Sequence, residues 1–186
     1  MGGFKMHQEV IDFCTKTKIQ HPNYFQQKTV LDIGSWDTNG NNRNLFTNCD
    51  YRGVDTCEGE NVDIISIAHE LSFPSEYFDT IISTEMLEHD PFFYRSLPKM
   101  FQLLKPQGLL LITCAGPSRH VHGTEWCNEP ASNLSALNGL SFFKNYYRNL
   151  LLEDFEFILN PQANFSSYSL TLQNNNTDLY FSGIKK

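Results

Sequence analysis

Polar residues able to bind a ligand or move a proton follow three apolar runs of the sequence. The first run ends in Asp32-Ile33-Gly34-Ser35-Trp36, where glycine lets backbone N–H groups approach a ligand closely. The second ends at Asp55, and 55 − 32 = 23 residues separate it from Asp32. A carboxylate about 20 residues further on can accept both hydroxyls of a ribose. The third is followed by Thr84-Glu85-Met86-Leu87-Glu88-His89, whose acids and histidine could perform acid–base chemistry.

Each of these segments also has a plainer interpretation. Gly34 could be a structural glycine, Asp55 could cap a turn, and the acids after residue 84 could be solvated. A dinucleotide fingerprint would need glycine at positions 36 and 39, which hold Trp36 and Asn39. No Gly-Lys-Ser/Thr follows, which excludes a P-loop. A pyrophosphate-binding role is therefore disfavoured.

A fourth polar segment, residues 114–126, carries Arg119, His120, His122 and Glu125. The two histidines at i and i+2 could be metal ligands on an extended segment, with Glu125 as a third. We expect instead a substrate-facing polar loop without a metal. Further along, Tyr146 is either a substrate contact or core packing, and it cannot share a helix face with its neighbour Tyr147.

The elements that must position these residues alternate along the chain. Continuous apolar strands indicate a parallel sheet buried on both faces. We expect helices at 5–20, 91–104 and 142–152, falling mainly between the first five strands. Seven strands are predicted, with the last two after a long loop; they span 29–34, 50–55, 62–66, 78–83, 109–113, 155–159 and 178–184.

Composition limits the function classes. The chain has 186 residues and a formal charge of −7, which fits one domain and argues against a broad electrostatic grip on nucleic acid. Five cysteines without a Cys-x-x-Cys pair indicate reduced thiols and a cytoplasmic location. Neither a signal peptide nor a membrane-spanning run is expected. We divide the single domain, 1–186, into an N-terminal helical extension (1–28), the sheet, and a substrate loop (115–140).

The segments Val30–Gly34, Gly53–Asp55, Phe78–His89 and Leu104–Ile112 occur in the order and at the separations of one known family. Together they resemble the class I S-adenosylmethionine-dependent methyltransferases, and in detail a subgroup of small bacterial and phage methyltransferase-domain proteins. The resemblance covers roughly residues 28–115 by motif. It implies a Rossmann-like α/β fold with a seven-stranded, mostly parallel sheet, an antiparallel last strand and helices on both faces.

The resemblance also implies site residues. Asp32 and the backbone of Gly34 and Ser35, with Trp36 beside them, would face the methionine part of S-adenosylmethionine. Asp55 would bind the ribose. The remaining cofactor contacts would flank the adenine or lie beneath the sulfonium, and they are Thr56, Cys57, Ala68, His69, Thr84 and Glu85. Two departures from the family pattern stand out: Trp36 and Thr38 replace glycines, and Ile67 stands where many members carry an acid that accepts from adenine.

Methyl transfer from a sulfonium requires alignment and exclusion of water rather than a covalent nucleophile. If the acceptor is a hydroxyl or thiol, a base helps to remove its proton. The candidate catalytic residues are His89, His120 and His122, with Glu88 a further candidate base. Arg119, Glu125 and Tyr146 are the candidate substrate contacts. The expected partner is a small polar molecule, for example a sugar, and the expected product is S-adenosylhomocysteine. Two rivals remain: a non-catalytic cofactor-binding module and a nicotinamide-dependent oxidoreductase.

Overall fold

The computed structural model describes residues 8–37, 40–127 and 141–186. Its centre is one seven-stranded sheet with the strand order β3-β2-β1-β4-β5-β7-β6. The strands are β1 (Thr29–Ile33), β2 (Asp50–Asp55), β3 (Ile64–Ile65), β4 (Phe78–Thr84), β5 (Leu104–Ala115), β6 (Phe165–Gln173) and β7 (Asp178–Lys185).

The pairing is parallel from β3 through β5, and β7 runs antiparallel to both β5 and β6. In β5, Leu104 pairs with Phe78 and Leu109 with Thr80, so residues 105–108 bulge out of the ladder. The predicted mostly parallel sheet with an antiparallel last strand is confirmed.

Side chains alternate between two core clusters, one on each face of the sheet. Leu31, Ile81 and Leu110 belong to one cluster, and their neighbours Val30, Ile82 and Leu111 belong to the other. Helices α2 (Phe93–Leu103) and α3 (Leu152–Leu159) pack on the first cluster, and α1 (Gln8–Gln20) packs on the second. A short fourth helix, α4, spans Pro161–Asn164. Helices therefore cover both faces, as predicted.

The first helix is part of the core rather than an extension. Val10 and Cys14 are buried against the sheet, and the Phe13 ring stacks on Tyr180 with 4.6 Å between centroids. Removing this helix would expose that face of the sheet to water, because apolar area is what the helix buries.

The sixth strand is misplaced by the sequence prediction. Residues 155–159 form part of α3, and the helix predicted at 142–152 is only a 3-10 turn, Ser141–Phe143, followed by irregular chain. Phe155 and Leu159 are buried while Phe157 is 90% exposed, which is helical rather than strand periodicity. The actual strand, β6, is a polar edge strand paired to β7 alone, so it lacks the apolar run of a buried strand.

Helices are also fewer between the early strands than the sequence predicts. Among the described connections between β1 and β5, only the one from β4 to β5 contains an α-helix; those after β1 and β3 contain short 3-10 turns. Among all the described residues, no helix has the length and apolar character needed to cross a membrane.

Candidate functional site

Parallel pairing brings the predicted site segments to one edge of the sheet. Asp32 pairs with Gly53 and Ile82, and Thr84 pairs with Thr113. The carboxyl ends of β1, β2, β4 and β5 therefore lie side by side, at the edge where open α/β sheets bind their ligands. The segments after these strands are the candidate active site.

Asp32 is held in a buried hydrogen-bond network. The Tyr51 hydroxyl donates to its Oδ2 at 2.5 Å, and Asn42 Nδ2 lies 3.3 and 3.4 Å from its two oxygens. Asn42 Nδ2 also donates to the Thr84 hydroxyl at 3.0 Å, linking β1 to β4. Burial raises the pKa of Asp32 to about 6, against the hydrogen bonds of Tyr51 and Asn42, which lower it. Sequence reasoning missed Asn42, since no spacing rule connects it to Asp32.

Gly34 and Ser35 direct their N–H groups into the protein. Both donate to the carbonyl of Val54, at 2.9 and 3.1 Å, and the Ser35 hydroxyl donates to Asn61 O at 3.1 Å. Gly34 has φ +85°, and a Cβ there would lie 2.6 Å from Cβ of Met86. The expectation that these N–H groups face a cofactor therefore needs correction, because they join β1 to β2, and the glycine allows Met86 to approach.

Asp55 ends β2 as predicted, and two backbone groups orient it. The N–H of Trp36 donates to Oδ2 at 3.1 Å and the N–H of Thr56 to Oδ1 at 2.7 Å. A carboxylate can accept about four hydrogen bonds, so capacity remains for a ligand hydroxyl. Burial raises the pKa of Asp55, while these N–H donors lower it. The Trp36 indole lies on Gly59, where a Cβ would be 2.2 Å from its Cδ1.

The predicted adenine-flanking residues divide into two groups. Thr56 and Cys57 are partly exposed next to Asp55, as the prediction requires. Ala68 is 5% exposed and belongs to the core, which leaves its side chain little access to a ligand. The ring of His69 lies 4.8 Å from that of Phe92, and its buried Nδ1 has no hydrogen-bond partner in the described parts of the chain. The role of His69 stays a prediction.

Arg119 joins two carboxylates across the sheet edge, in an arrangement we call the Arg119 clamp. Its Nη2 donates to Glu85 Oε2 at 2.9 Å and its Nη1 to Asp178 Oδ1 at 2.8 Å. Thr113 donates its hydroxyl to the other oxygen of Glu85 at 2.9 Å. The guanidinium is thus committed to two acids in this structure. The expected role of Arg119 in binding an anionic substrate is disfavoured for that reason, and Glu85 is engaged in the clamp.

A second group of polar side chains, the Glu88 cluster, consists of Glu88, His89, His122 and Tyr147. His122 Nε2 lies 3.7 Å from Glu88 Oε1. The ring centroids of His89 and His122 are 5.1 Å apart, and that of Tyr147 is 5.4 and 4.9 Å from them. Glu88 is fully buried, and neither of its carboxylate oxygens has a hydrogen-bond partner among the residues that the structure describes. Burial, and next the charge of Glu85, raise the pKa of Glu88 well above its usual range.

The two histidines of the cluster are held differently. Burial, with the charge of His122 next, lowers the pKa of His89 to about 4. Gly123 covers this ring so closely that a Cβ there would lie 2.7 Å from Cε1 of His89. In His122, Nδ1 lies 3.1 Å from the carbonyl of His120. A carbonyl only accepts, so Nδ1 carries the proton and Nε2 faces Glu88.

The remaining predicted residues are not in this cluster. His120 has an exposed side chain, and only its carbonyl takes part, accepting from the Tyr147 hydroxyl at 3.2 Å. Glu125 is exposed and accepts from Lys144 at 2.9 Å and from Asn145 at 3.1 Å. The His120, His122 and Glu125 grouping considered from sequence is therefore not assembled. Tyr146 is partly buried, and its neighbour Tyr147, expected from the sequence to face the other way, contacts both histidines.

A family model described as "Methyltransferase domain" matches residues 6–169. No curated protein matches the sequence. Many solved structures resemble the fold. The YcgJ protein from Bacillus subtilis is 16% identical, with a TM-score of 0.63 over 97% of this chain and 99% of that one. A SAM-dependent methyltransferase from Archaeoglobus fulgidus is 17% identical, with a TM-score of 0.59 over 94% of both chains.

A third similar structure is the 1,6-didemethyltoxoflavin-N1-methyltransferase of Burkholderia thailandensis, crystallised with 1,6-didemethyltoxoflavin and S-adenosylhomocysteine. It is 17% identical, with a TM-score of 0.61 over 95% of this chain and 78% of that one. At these identities the structures establish a shared fold. The family match covers most of the chain, and the fold and strand order agree with it. The chain belongs to the methyltransferase-domain family, and the resemblance drawn from its sequence motifs is confirmed.

Proposed function

We propose that this chain transfers the methyl group of S-adenosylmethionine to a small polar acceptor at the Glu88 cluster. The observation that carries the proposal is the position of two different groups at one sheet edge. Asp55 ends β2 with spare capacity to accept hydrogen bonds, and the Glu88 cluster follows β4. A nucleoside and an acceptor can therefore be bound by adjacent segments.

The cofactor is S-adenosylmethionine, as for other enzymes of the family, and when bound it supplies an electrophilic methyl group. The chemistry of Asp55 fits this ligand, because two backbone N–H groups fix an ionisable carboxylate where a ribose would offer hydroxyls. Trp36, Thr56 and Cys57 lie next to that carboxylate and are the proposed neighbours of the nucleoside. Asp32 and Thr84 support this edge through Asn42 rather than by open contact.

The Glu88 cluster is the proposed site of acceptor activation. With its proton on Nδ1, His122 presents Nε2 as a basic nitrogen beside Glu88. A hydroxyl acceptor could pass its proton to this nitrogen, and the Glu88 carboxylate, once ionised, would stabilise the imidazolium. The depressed pKa of His89 keeps its ring neutral, so it can position the acceptor without repelling a second cation. Tyr147 fixes the loop by donating to the His120 carbonyl.

The test compares His122→Ala with His120→Ala, two identical changes on one loop. Purified protein is incubated with methyl-labelled S-adenosylmethionine and a panel of sugars and polyhydroxylated metabolites, and S-adenosylhomocysteine is measured. We expect His122→Ala to lose roughly 100-fold or more in kcat, while His120→Ala stays within about twofold and both bind the cofactor as the parent does.

Two results would contradict the proposal. Equal activity of the parent and both variants would show that the Glu88 cluster takes no part in the reaction. A parent that binds S-adenosylmethionine but forms no S-adenosylhomocysteine with any acceptor, including a whole metabolite extract, would support the non-catalytic binding module.

A further inference from the structure

The unusual feature of the Glu88 cluster is its fully buried carboxylate. Among the described residues, no group lies within hydrogen-bond geometry of either carboxylate oxygen. Isolated buried charges are strongly unfavourable unless they are paired or coordinate a metal. The cation of the adjoining Arg119 clamp already contacts two other carboxylates, those of Glu85 and Asp178. Three carboxylates and one guanidinium therefore share this edge of the sheet.

Two imidazoles complete the surroundings of Glu88. One donor atom each from Glu88, His89 and His122 lie within 4.8 Å of one another. Within the part of the chain that the structure describes, the buried Nδ1 of His89 has no hydrogen-bond partner. His122 places Nδ1 on the His120 carbonyl, which is the second contact that orients metal-binding histidines, and directs Nε2 toward Glu88.

We propose that Glu88, His89 and His122 bind one divalent first-row transition ion, such as Zn²⁺, Fe²⁺ or Co²⁺. The ligand type fits, since two imidazoles and one carboxylate form a recurrent three-residue set for these ions and leave positions open. The three donor atoms lie within 4.8 Å of one another, which a small movement of the side chains would bring to the spacing of bound ligands. Ligand atoms lie about 2.0–2.2 Å from such an ion, which places neighbouring donors about 3.0–3.5 Å apart. The 3.7 Å between His122 and Glu88 is too long for a hydrogen bond and close to that spacing.

The surrounding residues explain how the site keeps its shape. The backbone of Gly123 lies against the His89 ring, and the ring of Tyr147 lies against both histidines. A β-carbon at residue 123 would displace His89, so this position holds the ring in place. With an ion bound, His122 Nε2 would be a ligand and no longer the base, and the open positions of the ion could instead polarise the acceptor oxygen. Only this last, catalytic use rests on the proposed function; ion binding does not.

The experiment uses the full chain after dialysis against a chelator, without cofactor or acceptor. Co²⁺ is titrated in and followed by its visible absorption, and Zn²⁺ is measured by competition and by elemental analysis. We expect one equivalent of Co²⁺, displaced by Zn²⁺. Glu88→Gln and His122→Ala should each weaken Co²⁺ binding at least about tenfold.

Matched controls come from the neighbouring loop. Glu125→Gln and His120→Ala make the same changes at exposed positions, and they should bind Co²⁺ as the parent does. Circular dichroism and cofactor affinity of the metal-free variants establish that Glu88→Gln and His122→Ala remain folded, and His122→Ala provides the informative comparison if Glu88→Gln does not fold.

Absence of Co²⁺ and Zn²⁺ binding by the parent would overturn the proposal, and so would equal losses in the control variants. Neither result would bear on the proposed methyl transfer, because that activity is measured separately with the cofactor and acceptors. Conversely, ion binding without turnover would contradict the proposed function and keep the metal site.

Discussion

Tyr51 in β2 donates its hydroxyl hydrogen bond to Oδ2 of Asp32 in β1 at 2.5 Å, so that a buried acid of one strand is held by the side chain of the next. Asn42 approaches the same carboxylate and reaches on to Thr84. The carboxylate that the sequence assigns to cofactor contact is therefore a support for the sheet edge, and this has consequences for stability.

The stability of the protein should depend on the ionisation of Asp32. Burial raises the pKa of Asp32 from 3.8 to about 6 in the folded chain, so the folded state holds a proton that the unfolded state loses. The stabilisation by protonated Asp32 is complete below the pKa that Asp32 has in the unfolded chain. It is lost as the pH rises through the pKa that Asp32 has in the folded chain. The difference corresponds to at most about 3 kcal/mol. As the pH increases from 4 to 6, the unfolding free energy of Asp32→Asn should therefore rise relative to that of the parent.

Urea unfolding of parent and Asp32→Asn at several pH values measures this effect. The comparison of two chains cancels other titrating groups. Two curves that stay parallel from pH 4 to 6 would show that Asp32 has an ordinary pKa.

The conformation of Gly34 predicts a loss of stability rather than a loss of ligand contact. At φ +85° any side chain is strained, and a Cβ would lie 2.6 Å from that of Met86. Gly34→Ala should lower the unfolding free energy of the cofactor-free protein by about 2 kcal/mol or more. Denaturant unfolding measures this. A variant as stable as the parent that no longer binds S-adenosylmethionine would instead make Gly34 a ligand contact.

The Arg119 clamp predicts a further stability difference. Arg119→Met would leave Glu85 and Asp178 without their shared cation in a site where the arginine side chain is only 15% exposed. Breaking a pair of this kind costs about 3 kcal/mol. The matched change Arg52→Met removes an exposed pair with Asp50 and should cost less than about 1 kcal/mol. Similar losses in both variants would show that the clamp is an ordinary surface ion pair.

Much of the fold is predictable because the relevant signals are local. The strand ending at Gly34, the strand ending at Asp55 and the helix at 93–103 are apolar runs bounded by polar turns, and they lie where the sequence predicts them. The edge strand β6 is not predictable in this way, since its exposed face is polar and its only partner is β7. The false strand prediction at 155–159 has a related cause. The exposed aromatic Phe157 lies between the buried Phe155 and Leu159, so that apolar residues alternate as they would in a strand.

The site is predictable in its segments and less so in its contacts. The residue types and their positions after the predicted strands place Asp55, His89 and His122 at one edge of the sheet. The separation of His122 from His120 and Glu125 depends on the path of the loop, which places one histidine on Glu88 and leaves the other exposed. The pairing of Arg119 with Asp178 joins residues 59 positions apart. No local pattern predicts such a contact.

The central claim, that Asp55 anchors the nucleoside of S-adenosylmethionine at the end of β2, is tested most directly by calorimetry. Parent, Asp55→Ala and the control Asp50→Ala are titrated with S-adenosylmethionine and S-adenosylhomocysteine. Asp50 lies at the opposite end of the same strand in an exposed ion pair. Hydrogen bonds to a charged acceptor contribute roughly 1.5–3 kcal/mol each, so Asp55→Ala should bind at least about tenfold more weakly while Asp50→Ala binds as the parent does. Equal affinity in all three chains, or a parent that binds neither ligand, would contradict the account.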